Sequence, residues 1–167
     1  MARYSFSVTS VTPTATADTT NLVDSTYLGF FQGGNSTQRL NFAEIYMGGE
    51  AASTSSPSIM VFARDSIVMT GTVGGGRTAV TDASNTAPGT VPLVGNTAAT
   101  TKPQRSATLH LLHLSFNAYG GIVRWVARPG EEPSVVGNTA SLGEASLSAF
   151  TGGTTGQISS HVLYEVV

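Results

Sequence analysis

Tyr4-Ser5-Phe6-Ser7-Val8-Thr9 opens this chain, and Ile158-Ser159-Ser160-His161-Val162-Leu163-Tyr164-Glu165-Val166 closes it. Successive side chains of a strand point to opposite faces, so both stretches read as half-buried strands. Tyr4, Phe6 and Val8 form the apolar face of the first. Ile158, Val162, Tyr164 and Val166 form that of the last, with Ser159, His161 and Glu165 opposite. Similar runs lie at 26–31, 39–47, 58–63, 66–72, 107–116 and 121–128, separated by turn formers such as Gly33-Gly34, Gly48-Gly49 and Ser56-Pro57. Residues 59–62 and 109–114 are apolar on both faces, which predicts central strands covered on both sides. Helical character is confined to 142–150, where Gly143 weakens it. The pattern predicts an all-β fold, a β-sandwich or jelly-roll-like single domain over 1–167 with about eight strands.

Composition bounds the function. Only 11% of the 167 residues are charged, against about 25% in an ordinary soluble domain. Ser and Thr, about a quarter of the chain, take their place. Such a surface is weakly hydrated and suits a chain that lies against neighbours more than one that must repel its copies. The formal net charge is −2 and the arginines are dispersed, which argues against a nucleic-acid partner. No apolar run approaches the ~20 residues of a membrane helix. Residues 1–10 alternate instead of forming a signal-peptide core, so folding in a cytosol is expected. The chain has no cysteine, which removes disulfides, thiol nucleophiles and Cys-based zinc sites together.

One stretch stands apart. Residues 73–106 are rich in Gly, Thr, Ala and Pro and hold few large apolar side chains. A segment of that length reads either as a surface loop or as an arm that orders on a neighbouring subunit. In the second case Val91, Leu93 and Val94, bracketed by Pro88, Pro92 and Pro103, are the anchors.

The motifs for chemistry are incomplete. Gly71-Thr72-Val73-Gly74-Gly75-Gly76-Arg77-Thr78 has the outline of a phosphate loop, but no helical pattern follows to receive the phosphate. His110 and His113 have a spacing that places two ligands together on a helix and on opposite faces of a regular strand, so no shared metal ion is expected. No G-x-S-x-G elbow marks a nucleophile, and Glu131-Glu132 between Pro129 and Pro133 reads as a solvated turn. The expectation is a non-enzyme without cofactor or metal. Arg64-Asp65-Ser66 interrupts two apolar runs and predicts a tight turn or bulge in which Asp65 bonds local backbone. Trp125 reads as a core anchor with Arg124 on the opposite face.

The opening Tyr4–Val8 strand, the late Gly120-Gly121-Ile122-Val123-Arg124-Trp125 strand and a final Val162-Leu163-Tyr164-Glu165-Val166 strand, in a cysteine-free chain rich in Ser, Thr, Ala and Gly, resemble the capsid decoration (cement) and head-surface proteins of tailed bacteriophages. That resemblance implies a β-rich subunit, often a trimer, that clamps adjacent major capsid subunits on the virion surface after assembly in the host cytoplasm. It carries over no catalytic residue. Expected partners are the major capsid protein and the chain itself as a homotrimer. Expected contacts are Arg3, Tyr4 and Phe6 of the first strand and Arg77, Val91, Leu93 and Arg105 of the 73–106 arm. The alternative is a tail-fibre or receptor-binding β module.

Overall fold

The computed structural model describes residues 2–12, 27–49, 57–74, 77–80, 93–95, 97–101, 103–137, 142–151 and 156–167. Eight principal strands carry the architecture: β1 (Ala2–Val11), β2 (Tyr27–Gln32), β3 (Arg39–Gly49), β4 (Pro57–Ile67), β9 (Gln104–Asn117), β10 (Ile122–Val126), β12 (Glu144–Thr151) and β13 (Ile158–Val166). They pair antiparallel in nested fashion: β1 with β13, β2 with β12, β3 with β10 and β4 with β9. Two further pairings, β3 with β13 and β4 with β12, join these pairs into two sheets. Successive principal strands therefore alternate between sheets, except at β4 and β9, which are neighbours in one sheet. Nested pairs wound across two sheets are the jelly-roll form of a β-sandwich.

Shorter strands complete the sheets. The order β10-β3-β13-β1-β6 makes the first sheet, where β6 is Arg77–Val80 and β11 (Ser134–Val136) also pairs with β3. The second sheet has the order β7-β2-β12-β4-β9, where β7 is Leu93–Gly95. A separate two-stranded ladder joins β5 (Thr70–Gly74) and β8 (Thr97–Thr101). There are thus more strands than the eight or so expected. The additional β5 to β8 all arise from the connection between β4 and β9.

Alternation holds where the sequence shows it. β13 switches between buried and half-buried at every residue. The inward faces meet in an aromatic core in which Phe31 of one sheet packs edge-to-face against Phe6 and Phe42 of the other, at 5.5 and 5.2 Å. Tyr4 stacks on Tyr164 at 5.8 Å, and Trp125 packs against the same cluster, as its place in the sequence predicts. The stretch with helical character became strand β12. Its Ala145, Leu147 and Ala149 belong to the core between the sheets, while Ser146, Ser148 and Phe150 point the other way. Period two wins because β12 lies between β2 and β4, and both of its ladders are filled.

Irregularities shift the faces. On β3 the ladder with β13 skips Ala43, a bulge that keeps both Phe42 and Ile45 inward although they are three residues apart. The 118–121 turn between β9 and β10 lies directly on the end of β3. A Cβ on Gly49 would stand 2.1 Å from the Ala118 carbonyl oxygen, with other backbone atoms of Ala118 close behind. Backbone cannot yield as a side chain can, so Gly49→Ala is expected to cost about 1–3 kcal/mol or more. Chemical denaturation checks this; an unchanged midpoint would mean the turn moves aside freely.

Candidate functional site

The two flanks of the sandwich differ. On one flank, β6 extends the first sheet beyond β1 and β7 extends the second beyond β2. Both strands come from the β4–β9 connection, and such short added strands are a common way of protecting sheet edges. On the other flank, β10 ends the first sheet and β9 the second, each paired on one side only among the described residues. Apolar side chains are concentrated on this flank: Ile122 is 71% exposed and Val126 52% on β10, Leu109 is 40% exposed on β9, and Tyr119 is exposed in the turn between them. From Ser106 to Ala118 no residue is charged. This long edge has neither Lys nor Pro inside it, and its guards against pairing with another chain are a bulge at Leu111 and the buried Arg105.

Placing 109–114 in a central strand therefore needs correction, because β9 is an edge strand. Its Leu112, Leu114 and Phe116 pack partly against the core, while Leu109 faces solvent. A second correction concerns His110 and His113. The β4–β9 register passes from Phe62↔Leu112 to Ala63↔His110, so Leu111 is the extra residue of a bulge, its side chain still packed partly against the core. The bulge returns both rings to one face, where they stack 5.9 Å apart and 16° from parallel. The spacing rule fails here because it assumes an unbroken pleat. Among the described residues no group of three or more His, Asp or Glu side chains is arranged to hold a metal.

The outward face of the first sheet carries a polar row across four strands. Arg124 of β10 forms an ion pair with Glu44 of β3, and its guanidinium lies 5.2 Å from the centre of the Tyr46 ring. The Tyr46 ring lies 6.0 Å from that of His161 on β13, which shares a 2.6 Å hydrogen bond with Ser7 of β1. A hydrogen bond from Tyr46, helped by Arg124, holds the Glu44 carboxyl below its ordinary value. Ser7 and His161 are register partners, so their contact is a cross-strand pair of the kind that ties sheets together. Beside this row a groove of about 680 Å³ is lined by Arg3, Glu44, Val126, Glu132, Leu163 and Glu165.

The expected contact residues divide by burial. Arg3 is exposed and pairs with Glu165 at 2.6 Å. Tyr4 and Phe6 are 7% and 1% exposed and belong to the core, so β1 offers Arg3, Ser5 and Ser7 to the outside instead. Arg105 is 2% exposed and lies buried over the Phe150 ring, at 5.2 Å, on the second sheet's face away from the aromatic core. Arg77 and Leu93 fall in β6 and β7, but their side chains lie outside the described ones, and Val91 lies outside the described residues altogether. Asp65 does sit at bulges, where the β4–β9 register shifts on both sides of it. Its side chain bonds Ser146 rather than local backbone, at 2.6 Å. Arg64 is likewise used internally, donating to the carbonyls of Ser134 and Leu142.

No protein-family model matches the chain, and neither does any curated protein or solved structure. The functional reading rests on the residues themselves.

Proposed function

We propose that this chain is a viral structural protein that decorates and stabilises the outside of a tailed-phage capsid, clamping adjacent major capsid subunits as a homotrimer. The asymmetry of the flanks carries the reading. Among the described residues, the chain covers the β1/β2 edges with its own connection and leaves the β9/β10 flank open, with exposed apolar side chains and no charged residue from Ser106 to Ala118. Burying the 106–118 stretch of that edge against another subunit removes an exposed pairing template, and that stretch carries no charge to desolvate. Repetition over a symmetric shell turns weak contacts into avidity. The jelly roll is a recurrent fold of virus shells and also of lectins, so the fold supports the reading only as analogy. The role is structural and needs no cofactor.

The test is co-sedimentation of the purified chain with heads of the encoding phage, with light scattering of the free chain alongside. Saturable binding by a trimer is expected. Ile122→Glu with Val126→Glu should reduce binding at least tenfold while leaving the melting temperature nearly unchanged. Head binding that ignores this pair would refute the open flank as the docking surface. A stable oligomer that ignores the heads would favour the receptor-binding alternative, for which the charged groove around Arg3, Glu44 and Glu165 is the supporting feature. Glycan-array binding would then be the next measurement.

A further inference from the structure

Three ionisable side chains lie fully inside the second sheet's outward layer, remote from the aromatic core. Asp65 of β4 and Glu144 of β12 are 0% exposed, and Arg105 of β9 is 2% exposed. Around them pack Phe30, Val61, Ala63, Met69 and Phe150, a second apolar cluster. β2 contributes the neutral, buried Gln32, the register partner of Glu144. Among the described residues, Asp65, Glu144 and Arg105 are the charged groups that face one another here.

The oxygen inventory is specific. Asp65 Oδ1 accepts from the Ser146 hydroxyl at 2.6 Å. Glu144 Oε1 accepts from the Met69 backbone N–H at 3.0 Å. Asp65 Oδ2 and Glu144 Oε2 are buried and meet no donor from any other group. Ala145 is the register partner of Arg64, so Glu144 and Asp65 fall at the adjoining position of the same two strands, and each carboxyl acts on the ionisation of the other. Two carboxylates are acceptors only and cannot bond, whereas a carboxylic acid donates to a carboxylate. One proton therefore satisfies both orphaned oxygens, and with Arg105 it brings the cluster to zero net charge.

We infer that Asp65 and Glu144 form a buried proton-binding site: Glu144 holds one proton and donates it to Asp65, whose charge Arg105 balances. Met69 leads into the β4–β9 connection and Arg105 leads out of it, so the site lies at both roots of the segment that supplies β6 and β7.

Electrostatics agree with the assignment of the proton. Burial, then the neighbouring Asp65 charge, pushes the Glu144 carboxyl up to about 9. Burial also raises Asp65, but only to about 6, because hydrogen bonds from Ser146 and Glu144 and the charge of Arg105 favour its ionised form. Both folded values exceed the ordinary ones of 3.8 and 4.5. The folded chain then holds more protons than the unfolded chain between about pH 4 and 9. The contribution of the pair to stability is complete below that window and is lost as pH rises through it.

The test uses the full chain and Glu144→Gln, whose amide nitrogen can donate to Asp65 Oδ2 while its oxygen still accepts from Met69. The melting temperature of the wild type is expected to fall between pH 5 and pH 9. Glu144→Gln should flatten this slope and, at pH 9, melt roughly 5 °C or more above the wild type. Infrared spectra of the wild type at pH 7.5 should show a protonated carboxylic acid that Glu144→Gln lacks, a readout that stands even if the variant folds poorly. An unchanged pH slope in a folded variant, or no acid band in the wild type, would overturn the inference. So would a wild type stabilised by Ca²⁺ or Mg²⁺ and destabilised by EDTA, because a metal ion would then hold the proton's place.

Discussion

Phe31→Ala is expected to lower stability by about 3–5 kcal/mol, toward the upper end for a buried aromatic. Phe31 is fully buried on β2 and is the point where the two sheets meet. Its ring lies edge-on to Phe6 and Phe42 and also contacts Phe62 and Tyr164, with centroids 6.2 and 5.9 Å away. Truncation removes four aromatic contacts, each worth about 0.5–1.5 kcal/mol beyond burial. It also leaves a cavity walled by rings on both sheets, which cannot collapse without moving strands. For a domain of this size the loss corresponds to a fall in melting temperature of roughly 10 °C or more. Urea unfolding measures it directly. Phe116→Ala serves as a control: this edge-strand residue is only partly buried, so its loss should be markedly smaller. Equal losses at both positions would contradict the central role of Phe31.

The second large effect is expected from Arg105→Met. The new side chain keeps much of the stem that packs near Phe150 but removes the charge that balances Asp65. An uncompensated buried carboxylate costs about 3–5 kcal/mol. The loss should be greatest at neutral and alkaline pH. It should shrink in acid, because a protonated Asp65 no longer needs a counter-charge. Adding Asp65→Asn to Arg105→Met should recover part of the stability at pH 8. The two residues pair across adjacent strands β4 and β9, so their effects must be non-additive. Simple addition of the two losses would show that Arg105 acts only through packing.

Arg105 also shows how a functional expectation can attach to the wrong side of a strand. Arg105 reads as a contact residue because it lies at the end of the 73–106 segment taken as an arm. Its direction was set by β4, which pairs Arg105 with Asp65 and turns it under the Phe150 ring. A signal was present: in a chain with so few charges, Asp65 stands between the apolar runs 59–63 and 67–69. A lone acid inside such a run must be paired or protonated if the run is buried. Its partners were not legible, since Glu144 lies 79 positions away and Arg105 40 positions away.

Local alternation was enough to establish the strands at both ends of the chain, the absence of membrane-helix patterning and the all-β class, because the direction of a side chain on a regular strand depends only on its own backbone. Everything that depended on a neighbour was decided by the tertiary structure. The bulges at Ala43 and Leu111 exist only relative to β13 and β4, and they reverse which residues share a face. Strand β12 overrides its weak helical character because it fills the space between β2 and β4. The open β9/β10 flank and the buried proton site likewise arise from nested pairing between the two halves of the chain. That pairing is stabilised by burial of both sheets at once, a free energy that no single segment contains.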